Sequence, residues 1–198
     1  VRIKATGERF IATNGKSDGA IPPYWSTPCD GSAPLVPLRS DAATVSLSPL
    51  IALAHRSDAR VAAVIGQGTG MSTHLLLGSR AITDLYTIEI EPEMIRASRT
   101  FYPVNGRAFD DPRSHYVLDD AKSYFAAAGR QYDLIFSEPS EPWVSGVAGL
   151  FSEEFYRQVS RYLSPRGVFA QWIHLYDLDD RLVLTVLTAI DRTFRDYE

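Results

Sequence analysis

From Asp58 onward the chain alternates short apolar runs with helical patterns, and that alternation restricts the fold more than any other feature. Arg60–Ile65, Leu85–Ile90, Ser114–Leu118, Tyr132–Ser137 and Gly167–Ile173 read as strands. Met71–Leu77, Pro92–Phe101, Ala121–Ala128, Ser152–Leu163 and Asp179–Phe194 read as the helices between and after them. Pro92 suits a first helical turn. Ser152 is placed to cap its helix, with Glu153 and Glu154 in the favourable first turn. Repeated β-α units of this size predict a parallel sheet with helices on both faces. Such sheets bind ligands at the carboxyl ends of their strands, so those loops are where chemistry is expected.

Residues 1–57 read differently, as an N-terminal appendage to a nucleoside-binding unit over 58–198. Val1–Thr6 and Arg9–Thr13 flank Gly7-Glu8 as a short hairpin, and Asn14-Gly15-Lys16 reads as a turn. Gly19 to Arg39 carries Pro22, Pro23, Pro28, Pro34 and Pro37 and reads as an irregular loop. A helix is expected from Ala43 to His55. The net charge of −4 offers no basic face for nucleic acid and suits a cationic partner. The single Cys29 excludes an internal disulfide and favours a reducing compartment. The four histidines are scattered without metal spacing. The longest apolar candidate, Leu182–Ile190, is interrupted by Thr185 and Thr188, well short of the roughly 18 residues a membrane span needs. The chain opens on Val1 rather than methionine, so a longer parent protein is expected.

Gly66-Gln67-Gly68-Thr69-Gly70 follows the first buried strand and precedes a helix. Glycines suit a tight turn that a ligand approaches closely. Glu89 ends the next strand, 23 positions after Gly66, where a carboxylate can accept hydrogen bonds from ribose hydroxyls. The dinucleotide fingerprint needs a glycine three positions after its second, and Met71 stands there. A nucleoside without a pyrophosphate is therefore preferred over NAD. A plain tight turn beside an exposed glutamate is the competing reading. Asp119 and Asp120 follow the third strand. Asp120 suits two roles, capping the helix Ala121–Ala128 and accepting from an adenine amino group.

The fourth strand runs into Ser137-Glu138-Pro139-Ser140-Glu141-Pro142-Trp143. Two carboxylates three residues apart, stiffened by two prolines, stand where the fold rule puts the reacting centre. A carboxylate attracts a cationic sulfonium and accepts the proton an amine nucleophile must lose. The bland alternative is a solvated acidic loop. Val144–Gly149 has the glycines of a mobile lid. His174 reads as a packed or surface histidine, Trp143 as a ligand cover or an ordinary anchor, Phe101 and Tyr102 as core, and Lys16 as a turn residue.

In order and spacing, Val64–Gly70, Ile88–Pro92, Leu118–Ala121, Tyr132–Pro142 and Leu150–Tyr156 resemble the spermidine/spermine synthase family. The likeness covers roughly Asn14 to Leu178. Ser137–Trp143 and Gln171–Tyr176 are closer still to the branch fused to transporter-like membrane helices. The resemblance implies an α/β class I S-adenosylmethionine-dependent methyltransferase-like (Rossmann-like) fold. It implies decarboxylated S-adenosylmethionine or S-adenosylmethionine as donor, no metal, and a polyamine-like amine acceptor. The nucleoside would be held by Gly66, Gln67, Gly68, Gly70, Glu89, Asp119 and Asp120, with Glu89 on the ribose and Asp120 on the adenine. Glu138 takes the place of the catalytic aspartate and Glu141 that of the second amine-site aspartate. The resemblance also allows a homodimer, and a cytoplasmic domain tethered to a membrane region in the parent protein. The family carries Asp at the position of Glu138, and a glutamine, a tyrosine and a histidine of its amine site have no clear counterpart before Asp58. Small-molecule methyl transfer, and a non-catalytic nucleoside or polyamine sensor, are the alternatives.

Overall fold

The computed structural model describes residues 1–3, 7–13, 16–22, 25, 40–139, 146–173, 175 and 178–197, with backbone alone at 13, 16–18, 40 and 41. Five strands form one parallel sheet: β4 (Val61–Ile65), β5 (Asp84–Glu89), β6 (Ser114–Leu118), β7 (Tyr132–Ser137) and β8 (Leu163–Gln171). Their spatial order is β6-β5-β4-β7-β8, so the glycine loop leaves the central strand. Three more strands, β1 (Arg2–Ile3), β2 (Arg9–Thr13) and β3 (Lys16–Ile21), form a small antiparallel sheet. The helices are α1 (Ser40–His55), α2 (Met71–Leu76), α3 (Pro92–Ser98), α4 (Arg107–Asp110), α5 (Ala121–Ala128), α6 (Glu153–Ser160) and α7 (Asp180–Asp191).

β4 is Val-Ala-Ala-Val-Ile and sends alternate side chains to opposite faces, as the strand period requires. Ala63 and Ile65 join Phe125, Phe155, Tyr156 and Val186 on the face covered by α5, α6 and α7. Ala62 and Val64 join Ala52, Leu76, Leu85, Leu134 and Phe136 on the face covered by α1 and α2. Helices on both faces explain why this central strand is apolar throughout. Local chemistry starts the helices. Asp120 accepts from the Ser123 N–H, Ser152 from the Phe155 N–H and Asp179 from the Leu182 N–H. Pro92 occupies the first turn of α3.

The N-terminal hairpin acquires a third strand, which corrects the expected loop at its start. Lys16–Ile21 pairs antiparallel with β2, so Lys16 is a strand residue rather than a turn residue, and the irregular stretch begins no earlier than Pro22. Its Lys-Ser-Asp-Gly-Ala-Ile sequence has no strand pattern; pairing and packing impose the conformation. Ile11 and Ile21 pack with Val45, Met71 and Phe101, and this cluster seats the small sheet against the helix that follows the glycine loop. Phe101 is buried as expected, whereas Tyr102 is 51% exposed.

β8 also starts earlier than expected, at Leu163 rather than Gly167. Tyr132 pairs with Leu163 and Leu134 with Val168, so residues 164–167 oppose Asp133 alone. A bulge on an edge strand tolerates Pro165, which has no N–H to donate. Asp133 ties this corner together by accepting from the N–H groups of Arg60 and Val61 and from the Ser164 hydroxyl. The short α4 escaped the sequence reading because four residues carry no periodicity. Among the described residues, no helix is long and apolar enough to cross a membrane.

Phe125 is fully buried at the centre of one face. Phe125→Ala should therefore cost about 3–5 kcal/mol of stability in urea denaturation. Leu184→Ala, at a side chain 61% exposed on α7, should stay within about 0.5 kcal/mol of the parent.

Candidate active site

Parallel pairing brings four strand ends level. Ile65 lies opposite Ile88 on one side and Ser137 on the other, and Glu89 lies opposite Leu118. The ladder continues into the loops. Gly66 N–H donates to Ile88 O at 2.9 Å, Glu138 N–H to Ile65 O at 3.0 Å and Asp119 N–H to Glu89 O at 3.2 Å. The glycine loop, Glu89, Asp119-Asp120 and Glu138 thus gather at the carboxyl ends of the strands, although 72 positions separate Gly66 from Glu138.

Gly66, Gly68 and Gly70 all have positive φ (94°, 45° and 77°), a region unfavourable for other residues. A Cβ on Gly66 would also come within 3.3 Å of the Glu138 carbonyl oxygen. The loop backbone therefore offers a bare cradle. Glu89, 8% exposed, braces it from below. Its Oε2 accepts from the Gln67 N–H at 2.9 Å and its Oε1 from the Glu91 N–H at 2.8 Å. A carboxylate has about four acceptor positions, so Glu89 keeps capacity for a further donor. Burial raises the pKa of Glu89, and the backbone N–H groups work against that rise.

Gln67 offers the site its backbone, not its side chain. The amide lies behind the loop, where Nε2 donates to Ser98 Oγ at 2.9 Å and Tyr116 Oη at 3.0 Å. Burial pushes the Tyr116 phenol up to about 12, so it stays neutral there. The fully buried Asn105 completes this support, with Nδ2 donating to Thr69 O and Ser98 O, each at 2.8 Å. Sequence reading missed Ser98, Asn105 and Tyr116. They come from a helix end, a turn and a strand that carry no motif.

Asp120 performs the capping role, its Oδ1 accepting from Ser123 N–H at 3.0 Å, which leaves Oδ2 for another donor. Asp119 is exposed and its Oδ1 accepts from the Asp120 N–H at 2.8 Å. Glu138 turns toward α2, where the buried Ser72 hydroxyl donates to Oε2 at 2.5 Å. The surrounding protein pushes the Glu138 carboxyl up to about 7, partly offset by that hydrogen bond. Such a group exchanges a proton readily near neutrality. Ser72 was also missed; a serine in a short helix has no signal of its own. Glu141, Trp143 and His174 lie outside the described residues, as does part of the expected lid, of which Gly146 and Val147 form a turn.

The spermine/spermidine synthase domain family matches residues 46–198. The chain belongs to that family. Its relatives include a polyamine aminopropyltransferase of Thermoplasma volcanium, 29% identical over 136 residues, covering 68% of this chain and 49% of that protein. One from Caldicellulosiruptor bescii is 30% identical over 132 residues, covering 67% and 47%. Polyamine aminopropyltransferase 1 of Streptomyces coelicolor is 33% identical over 107 residues, covering 52% and 20%. The chain thus spans less than half the length of these relatives. A spermidine synthase in complex with the transition state analogue AdoDATO superposes with a TM-score of 0.68 at 21% identity, over 78% of this chain and 52% of that one. The spermidine synthase of Thermotoga maritima gives 0.65 at 22% identity, over 78% and 50%. This likeness shows the fold, a class I methyltransferase-like α/β sheet.

The raised Glu138 carboxyl predicts a pH-dependent stability. Its folded pKa of about 7 exceeds the ordinary 4.5, so folding favours the protonated form. Its contribution is full below 4.5 and is lost as pH rises through 7. Glu138→Gln should leave the melting temperature at pH 4 unchanged and stabilise the protein at pH 8 by about 2–3 kcal/mol. Thermal melts at the two pH values check this.

Proposed function

We propose that this chain is the donor-binding and catalytic part of an aminopropyltransferase acting on a small polyamine-like amine. What carries the reading is one juxtaposition: Glu138, a carboxyl whose pKa burial raises, at the same strand ends as a bare glycine loop braced by Glu89. The donor in this reading is decarboxylated S-adenosylmethionine. Its ribose hydroxyls would donate to the free acceptor positions of Glu89. Its adenine amino group would donate to Oδ2 of Asp120, with Asp119 beside it. The backbone of Gly66, Gln67, Gly68 and Gly70 would lie against the nucleoside.

The amine nitrogen attacks the carbon next to the sulfonium, a C–N bond forms and the C–S bond breaks. The electron pair of that bond returns to sulfur, which leaves as the neutral thioether methylthioadenosine. The new ammonium gives its proton to Glu138. A base with a pKa near the working pH is suited to that transfer. Glu141 would serve as the second carboxylate for the cationic acceptor. Family membership and the aminopropyltransferase relatives support this reading. Methyl transfer and a purely sensory role gain no support from them.

Glu138 is one methylene longer than the family's aspartate, and even a ~1 Å misplacement of a reacting group costs around a hundredfold in rate. Slow spermidine formation from putrescine is therefore expected. The reading extends to a homodimer and to a cytoplasmic domain tethered to membrane helices. The tether is supported by the likeness of Ser137–Trp143 and Gln171–Tyr176 to the membrane-fused branch. Fractionation of the native protein into membrane and soluble pools tests the tether, and light scattering tests the dimer.

Mass spectrometry of protein offered both sulfonium donors and a panel of polyamines is the direct test. Methyl rather than aminopropyl products would overturn the reading. Glu89→Ala should weaken methylthioadenosine binding on the order of a hundredfold by calorimetry, through loss of about 3 kcal/mol of charge-assisted hydrogen bonds. Glu138→Gln should keep that affinity and lower turnover by roughly 10²–10⁴-fold. Undiminished turnover in Glu138→Gln would remove Glu138 from the mechanism.

A further inference from the structure

Glu138 has one more rotatable bond than aspartate, and a longer carboxylate is harder to hold in a single reactive pose. Its backbone is held, because the Glu138 N–H extends the β4–β7 ladder to Ile65 O and its carbonyl lies against Gly66. Its side chain has one hold among the described residues, the Ser72 hydroxyl at 2.5 Å from Oε2. Ser72 is itself immobile. It is 3% exposed, and its helix is pinned to β5 by the buried Thr73 Oγ1···Thr87 Oγ1 pair at 2.7 Å. Met71 anchors the same turn in the cluster beneath the small sheet.

We propose that Ser72 is the positioning residue for Glu138: its hydroxyl fixes Oε2 of the longer carboxylate and leaves Oε1 to meet the acceptor amine. The proposal rests on reading Glu138 as the proton acceptor of aminopropyl transfer. A side chain shortened by about 1.5 Å would no longer reach the hydroxyl, so Ser72 and a glutamate at 138 form a matched pair. Serine also favours the ionised form of the carboxylate it donates to. Other ionisable groups on the flanking elements are engaged elsewhere. Glu89 at the end of β5 holds the Gln67 and Glu91 N–H groups, and His74 on α2 meets Arg107 on α4. Glu141 lies outside the described residues.

The test combines Ser72→Ala, Ser72→Thr, Glu138→Asp and the Ser72→Ala/Glu138→Asp double variant. The Glu138 carboxyl is followed by carbon-13 NMR, assigned by its disappearance in Glu138→Gln. In Ser72→Ala the titration midpoint should rise by about one pH unit. The acid limb of the kcat–pH profile should rise with it, and kcat at pH 7 should fall about tenfold while methylthioadenosine affinity is unchanged. Ser72→Thr, which keeps the hydroxyl, should restore both. In the Glu138→Asp background, Ser72→Ala should change neither midpoint nor rate. An unmoved midpoint in Ser72→Ala, or equal effects of Ser72→Ala in both backgrounds, would overturn the proposal. So would a fall in methylthioadenosine affinity that matches the fall in rate, because it would mark a structural role for α2. A shifted midpoint in a protein that forms no aminopropyl product would sustain the Ser72–Glu138 pairing and overturn the reading of the reaction.

Discussion

The parallel pairing of β4 with both of its neighbours is the constraint on which the rest depends. Ile65 is matched to Ile88 and to Ser137, so the residues just past each strand end emerge at one height. The next rung is made by loop residues, since Gly66 and Glu138 donate their N–H groups across the ends of the strands. The glycine loop and the carboxylate loop are thereby fixed relative to each other by backbone hydrogen bonds. A one-residue slip would send every side chain to the opposite face, and the apolar cores on both faces oppose it.

On that frame the site concentrates groups whose charge the fold disfavours. Glu89 and Glu138 both have raised pKa values with burial as the leading cause. Glu89 is compensated by backbone donors and stays committed to the loop. Glu138 is met, among the described residues, by the Ser72 hydroxyl. The two carboxylates thus differ in the donors around them.

The loop is supported from behind as well as from below. Ser98, Asn105 and Tyr116 arrive from three separate elements and meet beneath Gln67 and Thr69. The small N-terminal sheet adds Ile11 and Ile21 against Met71. A positive-φ loop has few contacts of its own, so its shape has to be over-determined by neighbours.

Much of this was legible in the sequence. Asp120, Ser152 and Asp179 announced three helix starts because capping is a local interaction. The apolar run of β4 announced the central strand because burial on both faces leaves no polar alternation. The position of the glycine loop, Glu89, Asp120 and Glu138 at the strand ends was legible because chain order places them at or directly after those ends. The family likeness then suggested their chemistry. The third strand of the small sheet and the early start of β8 were not legible. Both have polar or proline-bearing sequences that only a partner strand makes extended. Nor were the partners of the site residues: Gln67 turning its amide away from the cradle, Asn105 beneath Thr69, and Ser72 on Glu138. The sequence alone determined which residue types stand at the ends of the strands, because local patterns and chain order decide that. Only the tertiary structure decided which donor each carboxylate meets, because Ser72 and Glu138 lie 66 positions apart and a hydrogen bond depends on distance in space.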